Sequence, residues 1–160
     1  MTRQKGFSLI ELLIVVAIIL IIAAIAIPNL LRSRMAANEA SAVGSVRTIN
    51  TAEVTYSSTY PSVGFTSTLS NLTGAAATCS GTGASSTSAC LLDAVLGAGT
   101  KSGYTFVLGG AAGNPVVTYT IKATPVVVGQ TGQRGFFSDQ SGVIRYNPTG
   151  TSTVADSPLQ

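Results

Sequence analysis

The chain has 160 residues, room for one modest domain beside whatever anchors it, and only 9% of them are charged. Nine Lys and Arg face six Asp and Glu, and setting aside Arg3 and Lys5 leaves seven against six, too even a balance for an electrostatic nucleic-acid footprint. Histidine is absent, which removes the commonest general base and metal ligand, and without it none of the many serines has an obvious activating partner, so the composition points to no enzyme and to no cofactor.

The chain begins MTRQKG, a short basic stretch ending at Gly6. From Phe7 it reads FSLIELLIVVAIILIIAAIAI, whose single charge is Glu11, followed by sixteen apolar residues. A carboxylate at membrane depth is costly, so it marks a function and calls for a partner. A helix over residues 7–31 would run about 37 Å at 1.5 Å per residue, enough to cross a hydrocarbon core of roughly 30 Å. Arg3 and Lys5 ahead of the run place the N-terminus on the cytoplasmic side, although Arg32 and Arg34 beyond it weaken the asymmetry. A secretory signal peptide cut after Ala24-Ile25-Ala26 is a plainer reading. The length of the run, the early acid and Pro28 two residues past that cut speak against it. A simple single-span anchor leaves Glu11 unexplained.

The stretch Gly6-Phe7-Ser8-Leu9-Ile10-Glu11-Leu12 resembles the cleavage and methylation motif of type IV pilins and of their relatives, the pseudopilins of type II secretion. Ser8 stands where the family more often has Thr, and the short leader is similar to that of the type IVa subclass. The resemblance covers roughly the first thirty residues. It implies a leader, residues 1–6, cut after Gly6 by a prepilin peptidase, and Phe7 N-methylated as the new N-terminus. Residues 7–31 would be the transmembrane and assembly helix, with Glu11 facing the Phe7 amine of a neighbouring subunit. Two charges in lipid are each costly alone and far less so when paired, so this contact would select one axial register. Residues 32–160 would form a head outside the membrane. The implied role is a structural subunit of a type IV pilus, a homopolymer built by the pilus assembly machinery. Its precursor would sit in the bacterial inner membrane and its assembled form outside the cell. A pseudopilin of a type II secretion system and a membrane-anchored binding module that never polymerises stay open as alternatives.

Pro28 falls inside the helical pattern, where a kink is expected rather than a stop, because few breakers follow between Leu30 and Thr55. The helix is predicted over about residues 7–58. Ala40, Val43, Val46, Ile49, Ala52 and Tyr56 form its apolar stripe. Residues 61–102 read as a loop-rich connection containing Cys79 and Cys90 in CSGTGASSTSAC. A disulfide in an oxidising compartment is the simpler reading of that pair, with two free buried thiols the alternative, since no zinc-site spacing is present. Asn71-Leu72-Thr73 fits the N-glycosylation pattern, and residues 89–96 suggest a short helix. Residues 103–108 (GYTFVL), 116–124 (VVTYTIKAT), 134–138 (RGFFS) and 143–146 (VIRY) read as strands. The fold class expected is α+β: a long kinked N-terminal helix whose second half packs on a small antiparallel sheet of three or four strands. Pilins often close their last strand pair with a disulfide near the C-terminus, and this chain has no cysteines there. Asp139, in the turn Asp139-Gln140-Ser141-Gly142, is a weak calcium candidate, because calcium wants six to eight oxygens and only Asp156 lies nearby in sequence; an Asx turn is the simpler role.

Overall fold

A computed structural model describes residues 7–75, 79–80 and 83–159. Gly6 and the rest of the leader, with the expected cut, lie outside the described residues. The chain divides into two compact units, Met1–Arg34 and Met35–Gln160.

The first unit is helix alone, the opening part of α1 (Leu9–Thr59). Its large apolar side chains stand exposed, from Leu9 at 79% to Leu31 at 51%. Among the described residues this is the one helix long and apolar enough to cross a membrane, with a mean hydropathy of 3.3 in its span window. The helix continues through Pro28, whose missing N–H leaves the carbonyl one turn earlier without its usual donor.

The second unit holds the rest of α1, two four-residue helices, α2 (Leu69–Leu72) and α3 (Ala94–Gly97), and one antiparallel sheet. Its strands are β1 (Thr100–Lys101), β2 (Tyr104–Gly113), β3 (Val116–Pro125), β4 (Gly135–Asp139), β5 (Arg145–Asn147) and β6 (Ser157–Pro158). They pair in sequence order as a meander. The α+β expectation is borne out, but the sheet has six strands instead of three or four. The two additions are two-residue edge strands, too short to show an alternating pattern. Strand β2 also runs on past Leu108 through Gly109-Gly110-Ala111-Ala112-Gly113, rejoining β3 at Ala112↔Thr118 after a bulge.

Alternation on β2 and β3 builds the core. Tyr104, Phe106 and Leu108 face inward with Tyr119, Ile121 and Ala123, and Phe136 joins them from β4. From α1 come Ala42, Val46, Ile49, Ala52 and Tyr56. Burying each large apolar side chain contributes about 1.5–3 kcal/mol against the ordering cost. The helical stripe differs from the expected one at its start: Ala40 is exposed and Ala42 is buried. Glu39, Ser45 and Glu53 are buried on the same stripe, where the sequence suggested only apolar side chains. The predicted helix at 89–96 shrinks to α3, started by Asp93, whose Oδ2 accepts the Leu96 N–H at 3.3 Å.

Candidate assembly segment and the polar sites of the second unit

Phe7 is 78% exposed, and Ser8 precedes the first helical residue. Glu11 reaches back, and its Oε2 accepts the Ser8 backbone N–H at 3.1 Å. The Ser8 carbonyl in turn accepts the Leu12 N–H at 3.2 Å. Ser8-Leu9-Ile10-Glu11 is therefore the S-x-x-E pattern of a capping box, with the acid at the third helical position closing one arm. The acid also lies in the first helical turn, where the helix dipole favours negative charge. Glu11 thus has a role inside a single chain, one that sequence reasoning missed although the spacing was in plain view.

Cys79 and Cys90 are joined by a disulfide, with their Cα atoms 5.8 Å apart. Gly74 lies against it. A Cβ there would fall 2.5 Å from the Cys79 sulfur, 2.6 Å from the Cys90 sulfur and 2.7 Å from the Ser88 Oγ, so only glycine fits. The loop's return strand is stitched to α2 and its flank: Ala89 N–H donates to Asn71 O, Leu91 and Leu92 N–H to Leu72 O, and Cys90 N–H to Thr73 O. Tyr56 donates its hydroxyl to Ser86 O at 2.6 Å. The Asn71-Leu72-Thr73 sequon is folded into this fabric. Asn71 Nδ2 donates to Thr66 Oγ1 at 3.0 Å, and Leu72 is fully buried.

Asp139 is a turn residue. Its Oδ1 accepts the Ser141 N–H at 2.9 Å and the Ser141 hydroxyl, and its carbonyl accepts the Gly142 N–H. Among the described residues no group of three or more His, Cys, Asp or Glu forms.

The two buried acids differ in how they are held. Glu39 Oε1 accepts the backbone N–H groups of Gln133 (2.9 Å) and Arg134 (3.0 Å), and its Oε2 accepts Arg134 Nε at 2.7 Å. Burial opposes its ionisation, but the hydrogen bonds from Arg134 and Gln133, with the guanidinium charge, outweigh it and hold the carboxyl below the usual range. That guanidinium also stands 5.7 Å and 5.6 Å from the ring centroids of Phe136 and Tyr146. Glu53 is fully buried and accepts a single hydrogen bond, from Thr66 N–H at 3.0 Å. Burial pushes it up to about 7, and the one hydrogen bond offsets this only in part. Neither acid stood out in the sequence, although their spacing of fourteen residues, four helical turns, puts both on one face.

Residues 1–27 match the family model of the prokaryotic N-terminal methylation motif. Over 39 residues the chain is 64% identical to the type IV wide pilus major component PilA4 of Thermus thermophilus, covering 24% of this chain and 30% of that protein. Over 54 residues it is 44% identical to the type IV major pilin protein PilA of Myxococcus xanthus, covering 34% of this chain and 24% of the relative. The matches span less than a third of either relative's length. No solved structure matches the chain. The methylation motif, the apolar helix behind it and the pilins it matches agree: the N-terminal segment of this chain is similar to that of type IV pilins.

Proposed function

We propose that the protein is a structural subunit of a type IV pilus rather than an enzyme. It is made as a precursor held in the inner membrane by residues 7–31. A prepilin peptidase cuts after Gly6, Phe7 is N-methylated, and the subunits polymerise through their apolar helices into a filament outside the cell. The observation that carries this reading is the methylation motif over residues 1–27, continuous with a helix whose large apolar side chains stand exposed. Such a surface in water would be a large exposed apolar patch, and neighbouring helices are the natural cover. At roughly 25 cal/mol per Å² of apolar area, contacts shared with several neighbours outweigh the cost of ordering them.

In that filament Glu11 pairs with the Phe7 amine of a neighbouring subunit. Its capping bond to Ser8 engages Oε2 and supports the pairing by presenting the carboxylate at the start of the helix. The named type IV pilins among the relatives, together with the stapled loop, favour a pilin over a secretion pseudopilin.

The test is intact-mass and N-terminal analysis of protein purified from cells that carry pilus machinery. The expected product starts at Phe7 and is heavier by one methyl group. A product starting at Met1 overturns the reading, and one starting at Ile27 makes the protein a secreted one.

A further inference from the structure

Glu53 has an anomaly that filament assembly does not use. Its side chain is fully buried, Thr66 N–H is its one donor, and its Oε1 is buried with no hydrogen-bond partner among the described residues. A neutral carboxylic acid tolerates such a place; a carboxylate there keeps one oxygen stripped of water with nothing in exchange. Among the described residues no cation pairs with it. The titratable groups that sense it are phenols, Tyr56 one turn along α1 and Tyr119 on β3. Both are raised first by burial and then by Glu53, Tyr119 to about 12. Beyond them, the Tyr60 ring lies 5.0 Å from that of Tyr56, tilted by 53°, and Asp139 acts on Tyr119 with further negative charge. Both phenols are uncharged around neutrality, so it is burial that opposes ionisation of Glu53, against the single hydrogen bond from Thr66.

The one donor belongs to a distinct piece of structure. Residues 63–68 lie along the end of β3, with Val116 N–H donating to Val63 O and Phe65 N–H to Val116 O. Gly64 bridges Val116 so closely that a Cβ would meet its backbone, at a φ of +82° that glycine adopts readily. The Phe65 ring stands 4.8 Å from Tyr119. Thr66 is buried, and its Oγ1 accepts from Thr68 N–H and Asn71 Nδ2. The Glu53–Thr66 bond ties this segment to α1 from within the core.

We propose that Glu53 is a proton-operated latch on residues 63–68: protonated, it lets the segment close over the core, and on losing its proton it admits water at Oε1 and loosens the segment from β3. The direction follows from linkage. The folded-state pKa, about 7, lies above the unfolded value of about 4.3. Glu53 therefore favours the closed form fully below the unfolded value. That contribution is lost as pH rises toward 7 and does not change further above it. Between about pH 5.5 and about pH 8.5 the ionised fraction of such a group rises about thirtyfold, so the latch operates around neutrality.

The test uses the full chain in detergent micelles. Backbone amide resonances of Thr66 and Phe65 are followed across pH, alongside chymotryptic cleavage at Phe65 normalised to an unstructured peptide of the same sequence. In the wild type, a Thr66 amide transition centred near 7 and several-fold faster normalised cleavage on the alkaline side are expected. In Glu53→Gln both pH dependences should vanish, with slow cleavage throughout. A Thr66 transition at the ordinary carboxylate range, or cleavage that is pH-independent in the wild type, overturns the proposal. Should Glu53→Gln fail to fold, the wild-type transition alone decides, and Asp139→Asn serves as the second variant: it leaves the latch intact and should keep the transition near 7.

Discussion

Glu39 and Glu53 stand four helical turns apart on α1 and respond to acid in opposite senses. Glu39 is held below its ordinary pKa, so its stabilising hydrogen bonds and ion pair are complete above the unfolded carboxylate range and are lost as pH falls through the depressed folded value. Glu53 behaves the other way, since its contribution fades as pH rises toward 7. Thermal melts of the full chain in detergent across pH should therefore peak on the acid side of neutrality, near pH ~5, with stability declining in both directions. Glu53→Gln should remove the decline toward neutral pH, and a profile flat from acid to neutral in the wild type would contradict this assignment. Glu39→Ala leaves the Gln133 and Arg134 N–H groups without their acceptor and should cost about 1–3 kcal/mol in denaturant melts, more than Glu39→Gln. Glu11 can be dissected in the same way. Glu11→Gln keeps an acceptor for the Ser8 N–H but removes the charge, whereas Glu11→Val removes both. If charge pairing governs assembly, both variants should insert normally and give few filaments by electron microscopy. Filaments at wild-type yield from Glu11→Gln would reduce the acid to a helix cap.

At the level of elements, what the sequence disclosed and what it hid divide along physical lines. The apolar stretch of α1 was legible because sixteen consecutive apolar residues leave no polar face to turn toward water, and the cores of β2 and β3 were legible from strict alternation at Tyr104, Phe106, Tyr119 and Ile121. Strands β1 and β6 span two residues each, less than one period, and Gly109 to Gly113 has almost no side chains to alternate. Helix α2 exists because Leu69 and Leu72 reach the core, a tertiary cause that local propensity does not show. The buried acids were hidden because a charged residue on a helix ordinarily faces water; their partners come from 13 residues away for Glu53 and from 94 and 95 residues away for Glu39. The capping box was hidden because Ser8 and Glu11 open a long apolar run whose hydropathy dominates the local pattern. The loop bearing the staple is open to direct measurement. Replacing both Cys79 and Cys90 with Ser should cost about 2–3 kcal/mol through restored loop entropy, read as a lower denaturant midpoint that reductant reproduces in the wild type.

At the scale of the molecule, the two units have opposite relations to water. Residues 35–160 enclose their own core, whereas residues 7–34 leave nearly all their apolar surface outside. Removing residues 1–34 should therefore yield a detergent-independent monomer on size exclusion, and the full chain should need detergent or self-association. A truncated chain that still aggregates would locate the sticky surface elsewhere.

The bond from the Tyr56 hydroxyl to Ser86 O has a mechanical consequence. It joins the last turns of α1 to a ring of chain closed covalently between Cys79 and Cys90. Traction along the helix axis is therefore delivered at its far end into a loop that cannot unravel beyond its sulfur bridge. Under load, the extensible part of this end of the molecule is limited by a covalent stop, and severing that stop chemically should lengthen the first yielding step in a single-molecule pull.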